Sequence, residues 1–516
     1  MRTILALLFG VCGALAAQEP PAPNLPAAQL PNLPAAPPPN LIVFLVDDLG
    51  WQDASYAFHT ERTSWNERYR TPALEALAAS GVAFTQAYAH CVCSPTRVSL
   101  LTGIHPARHR VTNWILRKDT PTDGAHPTLA MPAWNVNGLS DDGATPRALC
   151  VETLPQLLQR AGYATIHVGK AHLGALGTPG SDPRRLGFDV NVAGHAAGAP
   201  ASYLARESFA DPKRPERVWD VPGLEPYHGS ERFLSEVLTE EALREIDRAL
   251  AQRKPFFLHF AHYAVHTPYS ADARFIARYR EQGLDEKEAQ YAALIEGVDD
   301  SLGKLLAHLE ARGVAERTAI AFLSDNGGLS ANSRGGEAHT HNRPLASGKG
   351  SSREGGLRIP LVVRWPGAAP RGERCAHPVI VEDLFATLLE IAGVAPEEHR
   401  SRDARSFAPS LREPQRVVPE RALVWHYPHV WGPKGPGIGP YSALRRGDWK
   451  LVYDHATQRL ELFDLTRDLG EARDLAASEP ERTQALAREL GAALAAYGAQ
   501  MPQRREGGAP VPYPGT

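Results

Sequence analysis

Two pairs of oxygen-bearing side chains follow apolar runs in this chain of 516 residues. Asp47 and Asp48 come directly after the run 41–46, and Asp325 and Asn326 come after the run 318–324. Such runs predict strands buried on both faces, and the carboxyl ends of parallel strands meet at one edge of a sheet. Carboxylate and amide oxygens bind hard cations such as Ca²⁺ and Mg²⁺. Capping of a helix or turn would explain either pair alone, but the two pairs together predict a metal site.

Cys93 begins a segment in which Pro95 suits the first turn of a helix, where free N–H groups and the helix dipole favour an anion. A thiolate is a poor ligand for a hard cation, so an unmodified sulfur beside the predicted metal site makes little chemical sense. A hydrated aldehyde presents oxygen instead, and one of its hydroxyls can bind the metal and attack. A buried structural thiol, and a redox or soft-metal pair with Cys91, remain alternatives.

The segment 93–103 resembles the signature of the formylglycine-dependent sulfatases, which reads Cys-x-Pro-x-Arg-x-x-x-x-Thr-Gly. Every fixed position is met, by Cys93, Pro95, Arg97, Thr102 and Gly103. Other segments that resemble this family are 169–174, 266–268, 325–328, 348–350, 354–360, 447–451 and 464–471. The likeness covers nearly all of residues 40–500. It implies an alkaline-phosphatase-like fold, in which a large, mostly parallel sheet lies between helices.

The resemblance also implies the cofactors. Cys93 would be oxidised to formylglycine (3-oxoalanine), and the gem-diol of this aldehyde would be the nucleophile. The metal would be Ca²⁺ rather than Mg²⁺, bound by Asp47, Asp48, Asp325, Asn326 and the modified Cys93. Asp325 would accept the proton of the attacking hydroxyl.

The same resemblance implies catalytic and binding roles for several cationic and imidazole side chains. Arg97, Lys170 and Lys349 would hold the sulfate oxygens together with the metal, and Arg97 and Lys170 would also hold the modified cysteine. His266 and Lys349 would protonate the leaving oxygen. His172 would take the proton from the second hydroxyl, which expels sulfate and restores the aldehyde. The predicted substrate-binding residues are Lys170, His266 and Lys349.

Strand-like runs alternate with helical patterns in the first two thirds of the chain, which predicts an α/β fold with a mostly parallel sheet covered on both faces. From about Pro419, short strands precede an Ala/Leu-rich helix at 485–497, which predicts a small antiparallel sheet with one helix. The predicted division is a signal peptide at 1–16, a Pro/Ala-rich linker at 17–40, a catalytic domain at 41–418, a small α+β domain at 419–500 and a flexible tail at 501–516.

Export is predicted from the N-terminal residues, where Arg2 precedes a short apolar stretch and the small-x-small site 14–16. The apolar stretch is too short to span a bilayer, so we expect a secreted or periplasmic protein without stable membrane insertion. A net charge of −3 with no cluster of Lys and Arg argues against nucleic-acid binding. Four cysteines remain beyond the signal, namely Cys91, Cys93, Cys150 and Cys375, too few for a disulfide scaffold.

The predicted function is hydrolysis of sulfate monoesters, with a sulfated carbohydrate as substrate and a formylglycine-generating maturation enzyme as partner. One alternative is a phosphonate or phosphodiester hydrolase that uses the same modified cysteine. Another is an unconverted, inactive glycan-binding protein. The aromatic and histidine run 425–429 either lines a sugar pocket or packs between domains, whereas His259 and His262 are predicted to be structural.

Overall fold

The computed structural model describes residues 38–214, 216–329, 342–395, 403–432 and 434–516. The predicted signal peptide and most of the predicted linker lie outside these ranges. The strands are β1 (Asn40–Val46), β2 (Val82–Tyr88), β3 (Leu129–Ala130), β4 (Leu139–Ser140), β5 (Leu149–Cys150), β6 (Ala164–Gly169), β7 (Val190–Val192), β8 (Phe256–Ala261), β9 (Thr318–Ser324), β10 (Arg358–Arg364), β11 (Glu373–Cys375), β12 (Val379–Ile380), β13 (Ala422–Tyr427), β14 (Tyr441–Arg446), β15 (Trp449–Asp454), β16 (Leu460–Asp464) and β17 (Gln503–Arg504). The α-helices are α1 (Ser64–Arg68), α2 (Pro72–Ala79), α3 (Cys93–Thr102), α4 (Pro106–His109), α5 (Leu154–Arg160), α6 (Leu234–Ala251), α7 (Ile276–Glu281), α8 (Glu286–Ala311), α9 (Glu354–Leu357), α10 (Asp383–Ala392), α11 (Ala408–Arg412) and α12 (Pro480–Tyr497).

The large sheet has the strand order β11-β2-β10-β9-β1-β8-β6-β7, with β12 also paired to β2. Its pairings are parallel except for those of β10 with β2 and β9. The mostly parallel sheet is therefore confirmed. The four strands predicted from apolar runs, β9, β1, β8 and β6, are consecutive in this sheet.

Helices cover both faces of this sheet, as the continuous apolar runs require. In β1, Ile42 and Phe44 pack into the layer that contains α6 and α8, whereas Val43 and Leu45 pack into the layer that contains α3, α5 and α10. All seven residues of β1 are buried. Polar side chains can reach solvent or ligand only beyond the strand ends, and this requirement fixes the position of the site.

The C-terminal part is a four-stranded antiparallel sheet in the order β13-β14-β15-β16, with α12 packed on one face. Leu486, Leu490 and Leu494 of α12 pack against Leu444 and Leu462 of the sheet. This is the predicted small sheet plus helix. The predicted boundary near residue 418 falls between α11 and β13, and residues 38–516 form one compact unit.

The segment 501–516, predicted to be a flexible tail, packs in part on the fold. Its strand β17 pairs with β3, and the Val511 side chain is buried against the C-terminal sheet and α12. The Tyr513 hydroxyl donates to the Ala499 carbonyl at 2.7 Å. Strand pairing, the buried Val511 side chain and this hydrogen bond hold part of the Pro- and Gly-rich segment on the fold.

Candidate active site

The predicted carboxylates meet because β1 and β9 are adjacent parallel strands, paired so that Val46 lies opposite Ser324. One oxygen each of Asp47, Asp48 and Asp325 lies within 4.8 Å of the other two, and all three residues are buried. Asp48 has a left-handed backbone with φ 60°, and its N–H donates to Asp325 Oδ1 at 3.2 Å. The two strand ends thus form one acidic cluster.

Asn326 completes this cluster, because its Nδ2 donates to Asp48 Oδ1 at 2.8 Å. Asp47 Oδ1, Asp48 Oδ2 and Asn326 Oδ1 are buried and accept no hydrogen bond from the residues that the structure describes. Buried oxygens without a donor are costly, and a cation that binds oxygen would satisfy them. The donor set, made only of carboxylate and amide oxygens, fits a hard divalent ion such as Ca²⁺.

Three buried cationic side chains pair with the three carboxylates. The shortest contacts are Lys170 Nζ to Asp47 Oδ2 at 2.6 Å, Arg97 Nη2 to Asp325 Oδ2 at 2.8 Å and Lys349 Nζ to Asp48 Oδ1 at 2.5 Å. With all six groups ionised, as a bound cation would favour, their positive and negative charges balance. A bound divalent cation would therefore give the cluster an excess positive charge, which favours an anionic substrate.

Burial and neighbouring charges shift the pKa values of these groups. Burial, assisted by the charge of Asp325, raises the pKa of Asp47 well above its ordinary value. Burial also opposes ionisation of Asp48, but the charges of Lys349, His266 and Lys170 together outweigh it and lower the pKa of Asp48. Burial would likewise lower the pKa of Lys349, but the charge of Asp48, with smaller contributions from neighbouring acidic groups, holds that pKa above its ordinary value. The Asp48–Lys349 pair is thus ionic.

Cys93 is the first residue of α3, as Pro95 predicts, and every residue of this helix is buried. Burial raises the pKa of the Cys93 thiol, so an unmodified sulfur here is neutral and weakly nucleophilic. One turn further along the helix, Arg97 donates from Nε to Asp325 Oδ2 at 2.9 Å and from Nη1 to the Lys170 carbonyl at 2.8 Å. The helix thus carries both Cys93 and a cation fixed in the acidic cluster.

His172 lies just beyond β6, and its ring is held by a hydrogen bond through one of its two nitrogens. Its Nε2 donates to the Ile115 carbonyl at 2.6 Å, and its Nδ1 has no hydrogen-bond partner among the described residues. The ring packs against Gly198, where an added Cβ would lie 2.4 Å from His172 Cε1. Burial, with the charge of Lys170, holds the pKa of His172 well below its ordinary value. The ring is therefore neutral, with Nδ1 as its basic atom.

His266 follows β8 and faces the acidic cluster from the pocket. Its Nδ1 donates to the Thr267 carbonyl at 2.8 Å, and its Nε2 lies 3.7 Å from Asp48 Oδ2. Burial lowers the pKa of His266 to about 4, although the charge of Asp48 acts in the opposite direction. In the free site this ring is neutral.

A pocket of about 410 Å³ opens above these groups. Its charged end is lined by Asp48, Cys93, His172, His266 and Lys349. The other predicted site residues lie beneath this end and contact it through the acidic cluster, so the structure brings the whole predicted set together. They are Asp47, Arg97, Lys170, Asp325 and Asn326.

Sequence reasoning missed the remaining walls of the pocket, which include Trp114, Trp219, Trp431 and Arg214. These residues come from three separate segments and share no motif. The sequence feature that relates to these walls is Gly350, in the segment 348–350 that resembles the family. An added Cβ at Gly350 would lie 2.3 Å from the Trp431 ring, so a larger residue would not fit there.

The run 425–429 packs and does not line this pocket. Trp425 donates from Nε1 to the Ala89 carbonyl at 2.9 Å, and His429 Nε2 lies 2.6 Å from the Thr112 hydroxyl. Both side chains are almost fully buried. Trp431, two residues after the run, is the one that reaches the pocket.

Two C-terminal segments that resemble the family meet the segment 354–360 in a buried ionic network. Lys450 Nζ lies 3.0 Å from Glu354 Oε1 and 2.9 Å from Glu471 Oε1, and these three side chains have almost no solvent exposure. Arg358 Nε pairs with Glu354 Oε2 at 2.9 Å. These motif residues hold the small sheet against the segment that follows Lys349.

Comparison with known proteins settles the family. A family model described as Sulfatase matches residues 39–394. The chain belongs to the sulfatase family. This sulfatase is a sulfuric ester hydrolase, as predicted. A second model, described as N-sulphoglucosamine sulphohydrolase, C-terminal, matches residues 349–500, which include the small sheet and α12.

Its relatives include a sulfatase of Formosa agariphila, 30% identical, over 89% of this chain and 88% of the relative. The N-acetylgalactosamine-6-sulfatase of Mus musculus is also 30% identical, over 94% of this chain and 88% of the relative. The crystal structure of Ps i-CgsB in complex with k-i-k-neocarrahexaose superposes with a TM-score of 0.70 at 25% identity, over 89% of this chain and 93% of that one. These likenesses confirm the alkaline-phosphatase-like fold. No α-helix in the described ranges has the length and apolar character needed to cross a bilayer.

Proposed function

We propose that this sulfatase removes sulfate from a sulfated carbohydrate, with Cys93 oxidised to formylglycine and Ca²⁺ held by Asp47, Asp48, Asp325 and Asn326. The observation that carries this proposal is the position of Cys93, which starts a buried helix and opens on a pocket beside the unsatisfied oxygens of the acidic cluster. The carbohydrate part is supported by relatives named N-acetylgalactosamine-6-sulfatase and by the neocarrahexaose complex of Ps i-CgsB.

The cation, when bound, would supply positive charge to the sulfate oxygens, and the hydrated aldehyde would supply an oxygen nucleophile and a second hydroxyl for release. Residues of the chain would orient the cation and the hydrated aldehyde. Asp325 belongs to the acidic cluster, pairs with Arg97 and would accept a proton during attack. Arg97 and Lys170 are fixed by carboxylates and would hold the modified residue 93 and sulfate without reorganising.

Departure of the sugar oxygen requires a proton, and His266 and Lys349 are the candidates because both line the pocket. A bound sulfate would bring negative charge beside His266 Nε2, which favours the protonated ring. Protonated Nε2 would then donate to the leaving oxygen. Lys349, charged through its pair with Asp48, would hold the sulfate and assist.

Release of sulfate requires a base that takes the proton of the second hydroxyl, so that the aldehyde re-forms as the C–O bond to sulfate breaks. His172 is suited to this role because its Nε2 is committed to the Ile115 carbonyl and its Nδ1 is available. A neutral ring, kept so by burial, accepts a proton at Nδ1.

The first test is mass spectrometry of the peptide that contains Cys93, from protein produced with a formylglycine-generating enzyme. Conversion to the aldehyde lowers the mass by about 18 Da. The Cys93→Ala variant should lose turnover of p-nitrophenyl sulfate at an unchanged Tm, whereas Cys91→Ala, with an equally buried cysteine, should keep the converted residue and its activity. Turnover by Cys93→Ala would contradict the assignment. Faster hydrolysis of a phosphodiester than of the sulfate would favour the phosphodiesterase alternative.

The metal has its own test. Treatment with a strong chelator should remove activity and lower the Tm, because a ligand that binds only the folded state stabilises it. Added Ca²⁺ should restore both properties, and Mg²⁺ should restore them less. Full activity with an unchanged Tm in the chelator would exclude an essential cation at Asp47, Asp48, Asp325 and Asn326.

A further inference from the structure

We propose that Arg214 and three tryptophans that line the same pocket form a second recognition site, and that the preferred substrate is a sulfated sugar with a second anionic group. This inference rests on the proposed function, because it assumes that a sulfate ester occupies the charged end of the pocket. The second group would be another sulfate or the carboxylate of a uronic acid. Arg214, Trp114, Trp219 and Trp431 are the residues concerned.

Arg214 is the cation that the acidic cluster does not engage. Among the described residues that line the pocket, the charged cationic side chains are Lys349 and Arg214, and Lys349 is paired with Asp48. The ion pair of Arg214 joins its Nε to Asp211 Oδ2 at 3.3 Å, and Asp211 does not line the pocket. The Arg214 side chain is 57% exposed, so this pair is weak and exchanges readily for a ligand.

The guanidinium group has the right shape for the proposed partner. Its planar fork donates two parallel hydrogen bonds to a carboxylate or a sulfate, which an ammonium group cannot do. The contact with Asp211 involves Nε, and a fork of terminal nitrogens lies beyond it. An anion at Arg214 would therefore be recognised by geometry as well as by charge.

The loop that carries Arg214 is closed at its base by a backbone hydrogen bond. The Ala201 N–H donates to the Trp219 carbonyl at 2.7 Å and closes the loop at its base. Arg117 forms an ion pair with Glu216, two residues after Arg214, but the Glu216 side chain is 68% exposed, so this pair restrains the loop only weakly. The backbone hydrogen bond at the base keeps the loop beside the pocket, and the exposed Arg214 side chain can turn toward a ligand.

Tryptophan rings line the same pocket as Lys349 and Arg214. Trp114, Trp219 and Trp431 are half-buried and line the pocket from three segments of the chain. Aromatic faces bind the apolar faces of sugar rings, and a few polar groups then fix the orientation of the ligand. A pocket with tryptophan walls, a sulfate-binding end and an exposed arginine selects a sugar ring that carries two anions.

The test compares matched substrates with matched variants of the converted, Ca²⁺-loaded enzyme. The substrates are p-nitrophenyl sulfate, N-acetylgalactosamine 6-sulfate, N-acetylgalactosamine 4,6-disulfate and a disaccharide of a uronic acid with N-acetylgalactosamine 6-sulfate. The variants are Arg214→Gln, Arg214→Lys and the control Arg206→Gln. Arg206 is similarly exposed, pairs with Glu231 at 3.6 Å and does not line the pocket.

We expect the wild-type enzyme to prefer one doubly anionic sugar over the monosulfated one, and the preferred sugar identifies the second group as sulfate or carboxylate. Arg214→Gln should lower kcat/KM for that sugar about tenfold and leave p-nitrophenyl sulfate within about twofold. Arg214→Lys should restore part of the loss, and Arg206→Gln should match the wild type. The preference should shrink as NaCl is added.

If none of the sugars is hydrolysed, each is tested as an inhibitor of p-nitrophenyl sulfate turnover, with the same order expected for the inhibition constants. Equal kcat/KM or inhibition constants for mono- and dianionic sugars, or an equal loss on all substrates in Arg214→Gln, would overturn the inference. Failure of the proposed function is distinct, because the wild-type enzyme would then release sulfate from none of the four compounds.

Discussion

Charge pairing decides the chemistry of single residues in this site. Lys349 and His266 both approach Asp48, at 2.5 Å and 3.7 Å, but burial leaves His266 neutral while the ion pair keeps Lys349 charged. Two groups on the same side of the pocket thus differ in protonation before substrate arrives. Lys349 suits binding of sulfate, and His266 can change its protonation state during the reaction.

Replacement of His266 by Ala should therefore affect poor leaving groups most. A sugar hydroxyl needs a proton as it departs, whereas p-nitrophenolate leaves without one. We expect kcat/KM for N-acetylgalactosamine 6-sulfate to fall about 10²–10⁴-fold, and that for p-nitrophenyl sulfate to fall less than about tenfold. Steady-state kinetics on both substrates measures the difference, and equal losses on the two would assign His266 to binding instead.

Among the secondary-structure elements, the loops at the carboxyl ends of the strands set the positions of the functional side chains. β6, β8, β1 and β9 each deliver a functional side chain just beyond their last residues, and the loop after β7 supplies the wall behind His172. The His172 N–H donates to the His195 carbonyl at 3.0 Å, which joins this loop to the end of β6. The orientation of the imidazole is therefore set by a neighbouring loop as well as by its own strand.

A methyl group at residue 198 should disturb this arrangement. In Gly198→Ala the new Cβ would lie 2.4 Å from His172 Cε1, and the ring cannot retreat without losing its hydrogen bond to Ile115. We expect kcat to fall at least about tenfold with a small change in Tm, because steric displacement of a catalytic group costs activity before stability. Gly143→Ala is the control, since nothing lies within 4 Å of its Cβ position. Wild-type kcat in Gly198→Ala would show that His172 need not keep this position.

In the molecule as a whole, contact between the small sheet and the catalytic part helps to position the pocket. Glu354 follows the loop of Lys349, and Lys450 on β15 joins it to Glu471. Trp431 reaches the pocket from the same C-terminal part. The small sheet therefore supports one wall of the pocket and the loop that carries Lys349.

The Lys450→Met variant should destabilise the protein strongly. Removal of this cation leaves two buried carboxylates without their shared partner, which costs about 3–5 kcal/mol in the free energy of unfolding. Denaturant unfolding measures this change. Lys304→Met, which removes an exposed pair with Asp300, should change it by less than about 0.5 kcal/mol.

Glu471→Gln provides a milder version if Lys450→Met does not fold. One carboxylate then remains for Lys450, so the loss should be smaller but still exceed that of the exposed pair. Equal stability of the Lys450 and Lys304 variants would show that the buried network is not what holds the small sheet.

The sequence by itself determined the central strands, the residues at their ends and the family. Strands buried on both faces can be predicted because each is a local run of apolar residues. The family can be predicted because the segment 93–103 carries the residue types of its signature at the required spacings. The tertiary structure alone decided which oxygens lack a donor, that Lys450 joins Glu354 to Glu471, and that part of the segment 501–516 packs on the fold.

It also decided that Trp114, Arg214, Trp219 and Trp431 line one pocket. Their segments lie as much as 317 residues apart, between Trp114 and Trp431. Their meeting depends on how loops pack beyond the sheet edge, which no local pattern of residues encodes.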